Sequence, residues 1–497
     1  MKNTLARKLT SFLNSRLFLY IVLGFFVFEA LWFVFSAMYP MAFDEEYHLG
    51  LIKLYADHST PFLSSQPAGA DAYGAVARDP SYLFHYLMSF PYRFLRLFTS
   101  NETAIIICLR LINVAMFTWG LWLYRKVMLR AKASRALISV ALAVFVLIPI
   151  VPQLAAHINY DNAFMVLVPA MCLLSFRLVE SFRERRIDTR ALIGFVIICM
   201  TMALVKYAAL PICAAAAAFL LVYLILSFRG KYGKLWRIAR SDYMRLARNV
   251  RLGLVGLLLI MSGLFAQRYI VNLAKYHTPV PDCGVVLTVK QCSAYGPWIR
   301  DYRYSNEKPD NFKPSLAKFV GSWFGGMWHR LFFAINGKHA HYTNYKELLV
   351  PSIAAIVLSV AGLAAVIAHR RKLFRNDAVL AFILTVSLGY AAVLWLDGYA
   401  AYNHTGRIVA INGRYLLPIL LLLAVVIGRA FSIALRKKAD VKPYLAVFVI
   451  LLFLHGGGLM TFILRSDNSW YWPNQIVRNV NNAVRSVLAP VIIEGPK

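Results

Sequence analysis

Charged side chains are costly beside the hydrocarbon of a membrane, so those bordering apolar runs carry chemical information. The densest acidic point of the chain is MAFDEEYHLG, where Asp44, Glu45 and Glu46 follow the first apolar run. Three consecutive carboxylates cannot share one face of a helix, so one or two of them aim at a common site. A second point is ARDPSYLFHYLMSF, with Asp79 and His85. A third is AHINYDNAF, where Asp161 opens an apolar run just after His157. A carboxylate at such a boundary is placed to take a proton from an alcohol. It equally suits a helix cap: acids near a helix N-terminus gain about 0.3–1 kcal/mol, and Asp161 is well placed to cap its own helix. Both readings stand at this level.

The cations form a complementary set. Lys206 lies in MALVKYAALP between two apolar runs, and Arg407 and Arg414 lie in TGRIVAINGRYLLP. Lysine at the centre of a membrane helix costs about 2.5–3.5 kcal/mol. Lys206 therefore needs an anionic partner or a route to the lipid headgroups. Arginine suits a two-point grip on phosphate. Acids and cations together describe a site for an anionic lipid headgroup and a polar acceptor. Glu29 stands apart, midway along the first apolar run. It reads either as a proton-coupling group or as a carboxyl hydrogen-bonded to a neighbouring helix. The chain has no phosphate-binding glycine loop with lysine, no HExxH, no CxxC pair and no GxSxG elbow. The glycines of GGGLM, at 456–460, fall within an apolar run and read as close helix packing.

These residues are carried by a very apolar chain. Of 497 residues, 60% are hydrophobic and only 15% charged. A soluble enzyme, a disordered tail and a secreted disulfide scaffold are excluded. Runs near the 20 or so residues a membrane helix requires lie at 17–38, 104–124, 136–152, 161–179, 191–206, 207–228, 252–274, 349–368, 378–396, 414–433 and 443–463. The expectation is an all-α polytopic membrane protein of about eleven transmembrane helices. Short loops such as 125–135 and 369–377 are dense in Lys and Arg, whereas 153–160 has none. The N-terminus is then cytoplasmic and the acids lie on the outer face. The net charge of +31 reflects this orientation and attraction to anionic lipid. Nucleic-acid binding is not expected, because no soluble domain offers a basic face.

The division reads as an N-terminal membrane module, 1–230, with an outer loop at 39–103. A basic inner segment follows at 231–251, then a C-terminal module, 252–463, with an outer loop at 275–347, and an outer tail, 464–497. HLGLIKLYADH has the spacing of an interfacial helix on the outer face, and KYGKLWRIARSDYMRLARNVR that of one on the inner face. Cys283 and Cys292 share the outer loop, where oxidation is allowed, so a disulfide is expected.

The order of these motifs carries a resemblance. FDEEYHLG after the first span is followed by DPSYLFHYLMSF, then ICLRLINVAMFTWGLWLYRKV, HINYDNAF, ALVKYAALP and NGRYLLP. This series resembles membrane glycosyltransferases of the C superfamily, whose relatives include protein O-mannosyltransferases and bacterial aminoarabinose transferases. It covers residues 15–230 well and 315–435 more loosely. The resemblance implies a sugar moved, with inversion, from a polyprenyl-phosphate carrier to an acceptor hydroxyl of a polysaccharide, lipid or protein. This would take place on the outer face of the plasma membrane. It implies Asp44 as base with Glu45 beside it. It implies Lys206 and Arg414 as the grip on the carrier phosphate and Asp161 as the acid that opens the fourth span; Arg407 is a further candidate for the phosphate from its place beside Arg414 in the sequence. Asp79, His85 and His157 support the site. Glu46 is extra to the pattern, and Asp79 replaces part of a double proline. No cofactor is required. A divalent metal, where one is used, would sit between Asp44 and Asp161. Two rival classes remain at this level: a polytopic transporter or lipid flippase, and a non-catalytic envelope assembly protein.

Overall fold

The computed structural model describes residues 2–41, 44–333 and 348–493. Ala42 and Phe43 of the acidic motif, 334–347 of the second loop and 494–497 of the tail lie outside the described residues. Helices α1 (Lys2–Asn14) and α2 (Arg16–Ser36) meet at Ser15, whose hydroxyl accepts from Phe18 N at 3.1 Å and starts α2. Helix α3 (Glu45–Ala56) packs on α4 (Leu83–Arg96). Then follow α5 (Glu102–Arg130), α6 (Arg135–Val146), α7 (Ile150–Ala155), α8 (Asp161–Arg183), α9 (Thr189–Val205) and α10 (Leu210–Ser227). Helix α11 (Leu235–Arg245) precedes α12 (Arg248–Phe265), which runs through a π turn at Ala266–Ile270 into α13 (Val271–Tyr276). Four helices lie in the second loop: α14 (Cys283–Val286), α15 (Val289–Cys292), α16 (Gly296–Asn306) and α17 (Leu316–Phe332). The chain ends with α18 (Leu349–Phe374), α19 (Ala378–Thr405), α20 (Leu417–Ala434), α21 (Lys442–Leu454), α22 (Leu459–Arg465) and α23 (Gln475–Leu488).

Among the described residues the fold is all-helical, with a single isolated bridge between Ala37 and Tyr471. Helices α5 and α8 pack along each other at its centre, with α2, α6, α9 and α20 against them. Phe26, Phe33, Leu109, Phe117, Val168 and Met171 are buried in this core. The Tyr124 hydroxyl crosses from α5 to donate to Pro418 O at 2.6 Å. Outer helices keep apolar faces turned outward, including Leu259 on α12 and Val360 and Leu363 on α18. Large exposed apolar faces on such helices suit lipid as the solvent. The protein is a multi-pass helical membrane protein.

Among the described residues, nine segments are long and apolar enough to cross a membrane, against about eleven expected. The differences lie at two positions. The run 136–152 stops as a helix at Val146, and Pro149 and Pro152 restart it as the short α7. The run 191–206 forms α9, which starts at Thr189 and ends after 17 residues at Val205, because Lys206 is extended with φ −158°. The glycine cluster packs closely against its neighbours, as expected, and it also interrupts the span between α21 and α22. Gly458 N donates to Leu147 O at 2.7 Å, and a Cβ on Gly458 would collide with Glu29 Oε1.

The expected interfacial helix of the first loop is corrected too. Leu49, Leu51, Ile52 and Tyr55 of α3 are buried against the protein, so α3 has no apolar face left for lipid. Helix α4 has one, with Leu87, Phe90 and Phe94 exposed. Helix α11 matches the expected amphipathic pattern, with Trp236 and Met244 exposed and none of its residues buried.

Candidate functional site

Five elements meet at the end of the bundle that carries the acids. These are the link from α2 to α3, the N-termini of α5 and α8, the α9–α10 break and the turn before α20. Asp44 is the residue before α3 and adopts the left-handed conformation, φ 74°. Its side chain makes no capping bond to α3. The carboxylate instead meets Arg414, Oδ2 to Nη2 at 2.7 Å, with its side chain 56% exposed. Of the two readings open to Asp44, the cap is therefore not the one its geometry serves. Desolvation raises the Asp44 carboxyl, but the charge and hydrogen bond of Arg414 outweigh it and hold it below its ordinary value.

Asp161 likewise does not cap α8, and Asn159 Oδ1 accepts from Asp161 N at 2.9 Å instead. The Asp161 carboxylate takes Lys206 Nζ at 2.6 Å and lies 3.5 Å from Arg414 Nε. Lys206 is 7% exposed, with its ammonium over the rings of Tyr160, 4.6 Å, and Tyr415, 4.7 Å. It therefore turns into the protein and does not snorkel. The helix ends at Val205, directly before it, and Lys206 itself is extended. Arg414 is held in a 3-10 turn, Gly413–Leu416, where its own N–H donates to Asn412 Oδ1 at 3.1 Å. The result is an alternating chain of charge, Asp44–Arg414–Asp161–Lys206, with only Asp44 open to solvent.

Glu45 has a different place. Its side chain is fully buried and receives Arg110 at two points, Nε to Oε1 at 2.9 Å and Nη2 to Oε2 at 2.7 Å. It also accepts from Met41 N at 2.8 Å and Ile158 N at 3.2 Å. Arg110 donates further to Ala37 O at 2.6 Å and lies over Trp472, 5.2 Å away. With its lone pairs taken by four donors and no solvent access, Glu45 is a positioning residue, which corrects its assignment beside Asp44 as catalytic. It ties the turn before Asp44 to the loop before Asp161. Desolvation raises its carboxyl, but the Arg110 ion pair prevails and lowers it.

Arg407 is also displaced from its expected role. It pairs with Glu307 at 3.0 Å, stacks on Tyr304 and is half exposed, away from Arg414's acids. His157 is buried, with Nε2 3.4 Å from Met41 O, and burial lowers it despite Glu45. His85 is fully buried, its Nε2 2.8 Å from His48 Nδ1, and burial takes it down to about 3. Asp79 accepts from Ser81 N at 2.8 Å and is raised by burial. The second loop is closed by a disulfide between Cys283 and Cys292.

Sequence reading passed over Arg110, Arg268 and the tyrosines. Arg268, in the π turn, donates to Pro61 O at 3.0 Å and to Ala77 O, holding the first loop down. Both arginines lie inside apolar runs, and that alone was a signal. A divalent metal does not fit between Asp44 and Asp161, because Arg414 already lies between them and a second cation would be repelled. Among the described residues no cluster of three His, Cys, Asp or Glu could hold a metal. No protein-family model, curated protein or solved structure matches the chain.

Proposed function

We propose that the protein is a membrane glycosyltransferase that moves a sugar from a polyprenyl-phosphate carrier to an acceptor hydroxyl. The observation that carries this reading is the charge chain at one end of the bundle. Two buried cations, Lys206 and Arg414, lie beside one open carboxylate, Asp44. In the reaction the acceptor oxygen bonds to the anomeric carbon as the bond from that carbon to the phosphate oxygen breaks. Asp44 takes the hydroxyl proton, and the bonding pair stays on the departing phosphate. Lys206 and Arg414 stabilise that growing charge in a site with little water. A phosphate that draws Arg414 towards itself also loosens its hold on Asp44, whose basicity then rises. The acid-bearing end faces outward and the basic loops face the cytoplasm. Proton-coupled transport would need Glu29, but that carboxylate is 1% exposed and accepts from Leu459 N at 2.8 Å.

The reading is tested by mass spectrometry of lipids that copurify with Asp44→Asn and Lys206→Ala. A polyprenyl-phosphate sugar enriched with Asp44→Asn and missing from Lys206→Ala is the expected result. The same lipids in equal amount on both variants would remove support for it.

A further inference from the structure

Among the described residues of the second loop, Tyr295 lies towards the acids. Tyr295 follows α15, and its N–H donates to Cys292 O at 2.9 Å, so the disulfide-closed turn sets its position. Its ring lies against Gly74, where a Cβ would be 3.0 Å from Tyr295 Cδ1, and Gly74 has φ +77°. A side chain at position 74 would push this ring away. Tyr295 faces Tyr47 at 6.1 Å between centroids, and Tyr47 meets Tyr73 edge-on at 6.0 Å. All three rings keep part of their surface open. The Tyr295 phenol is within electrostatic reach of both Asp44 and Asp79, and Tyr47 of Asp79. Half-open aromatic faces joined to carboxylates and phenols suit a ligand with an apolar face and a rim of hydroxyls. A lipid chain would have no use for the carboxylates, and a bare phosphate would be repelled by them.

Resting on the function proposed above, we infer that Tyr295, Tyr47 and Tyr73, with Asp79, form the subsite for the transferred sugar ring. The geometry explains its location. A carrier phosphate held by Lys206 and Arg414 would place its sugar beside Asp44, and the Tyr295 ring, packed on Gly74 and facing Tyr47, lies within electrostatic reach of both Asp44 and Asp79. The ring's C–H face stacks on Tyr295 and its hydroxyls donate to Asp79. The second loop thereby sets which sugar is accepted.

The test uses the full chain in detergent micelles, with native mass spectrometry as the readout. The probes are farnesyl monophosphate and farnesyl phosphates bearing mannose, glucose, galactose or arabinose. Wild type binds at least one sugar-bearing lipid more tightly than the monophosphate. Tyr295→Ala weakens that lipid by about tenfold (~1.4 kcal/mol) and leaves the monophosphate unchanged, which also shows that the variant is folded. Tyr295→Phe keeps the stacking face and most of the affinity. A Tyr295→Ala variant that weakens both probes equally, or neither, overturns the subsite while leaving the phosphate site standing. A wild-type protein that binds no farnesyl phosphate, with or without sugar, overturns the transferase reading itself.

Discussion

Substituting Arg110 by methionine removes the partner of a carboxylate that has no access to water. Both side chains of the Arg110–Glu45 pair are 0% exposed. The methionine fills much of the same volume but leaves Glu45 with only the N–H groups of Met41 and Ile158. Breaking such a pair on one side costs about 3–5 kcal/mol, because a buried charge is left uncompensated. Glu45→Gln alone strands Arg110 and falls in the same range. The double variant Glu45→Gln/Arg110→Met carries no buried charge, and its amide oxygen can still accept from Met41 N. It recovers most of the loss, so the two single effects are far from additive. Thermal unfolding of the protein in detergent, read with a thiol-reactive dye, measures all four proteins. The pair also has a pH signature. The Glu45 carboxyl is lowered on folding, so its contribution is present above the unfolded value of about 4.3 and is lost as pH falls through the folded one. Wild type therefore has an acid-labile increment that the double variant lacks. An Arg110→Met variant within about 1 kcal/mol of wild type, or additive single effects, would refute the argument.

Two further predictions concern other buried groups. His48 and His85 are held neutral by burial, and folding lowers both below their ordinary value. The unfolded chain therefore binds more protons, and stability falls as pH drops below about 6.5, by up to ~1.4 kcal/mol per unit for each histidine. A His85→Gln variant with a slope as steep as wild type in unfolding measurements from pH 7 to 5 would count against this. At Glu29, the neutral Glu29→Gln keeps an acceptor for Leu459 N and unfolds near wild type. Glu29→Ala leaves that N–H unpaired and loses about 1–3 kcal/mol; equal losses in both would show that the hydrogen bond is not what Glu29 supplies.

The parts of the site that were legible in the sequence are those where a charge meets an apolar run. Asp44, Asp161, Lys206 and Arg414 each stand at such a boundary, and they converge within ion-pair distance. Their partners were not legible, because the pairing depends on how α8, the α9–α10 break and the turn before α20 are brought together. Glu45 shows the limit. It neighbours Asp44 in sequence, yet one residue further along, the backbone turns its carboxylate to the protein interior and onto Arg110. The tyrosines were harder still. Tyr47, Tyr160, Tyr295 and Tyr415 are ordinary in composition, and only the fold aims them at one place. Two of the eleven apolar runs form shorter helices, where prolines and an extended Lys206 interrupt them, since hydropathy reports burial and says little about helix continuity. The amphipathic face of α4 is present in the spacing of Leu87, Phe90 and Phe94.

Turnover tests most directly whether Asp44 is the base of a sugar transfer from a polyprenyl phosphate. The full chain in lipid nanodiscs is given polyprenyl-phosphate hexoses and pentoses, with an envelope extract as the source of acceptor. Release of the bare polyprenyl monophosphate is followed with time. The account predicts release from at least one donor by wild type, and release slower by about 100- to 10,000-fold with Asp44→Asn. Release by Asp44→Asn at the wild-type rate, or no release from any donor by wild type, would contradict it.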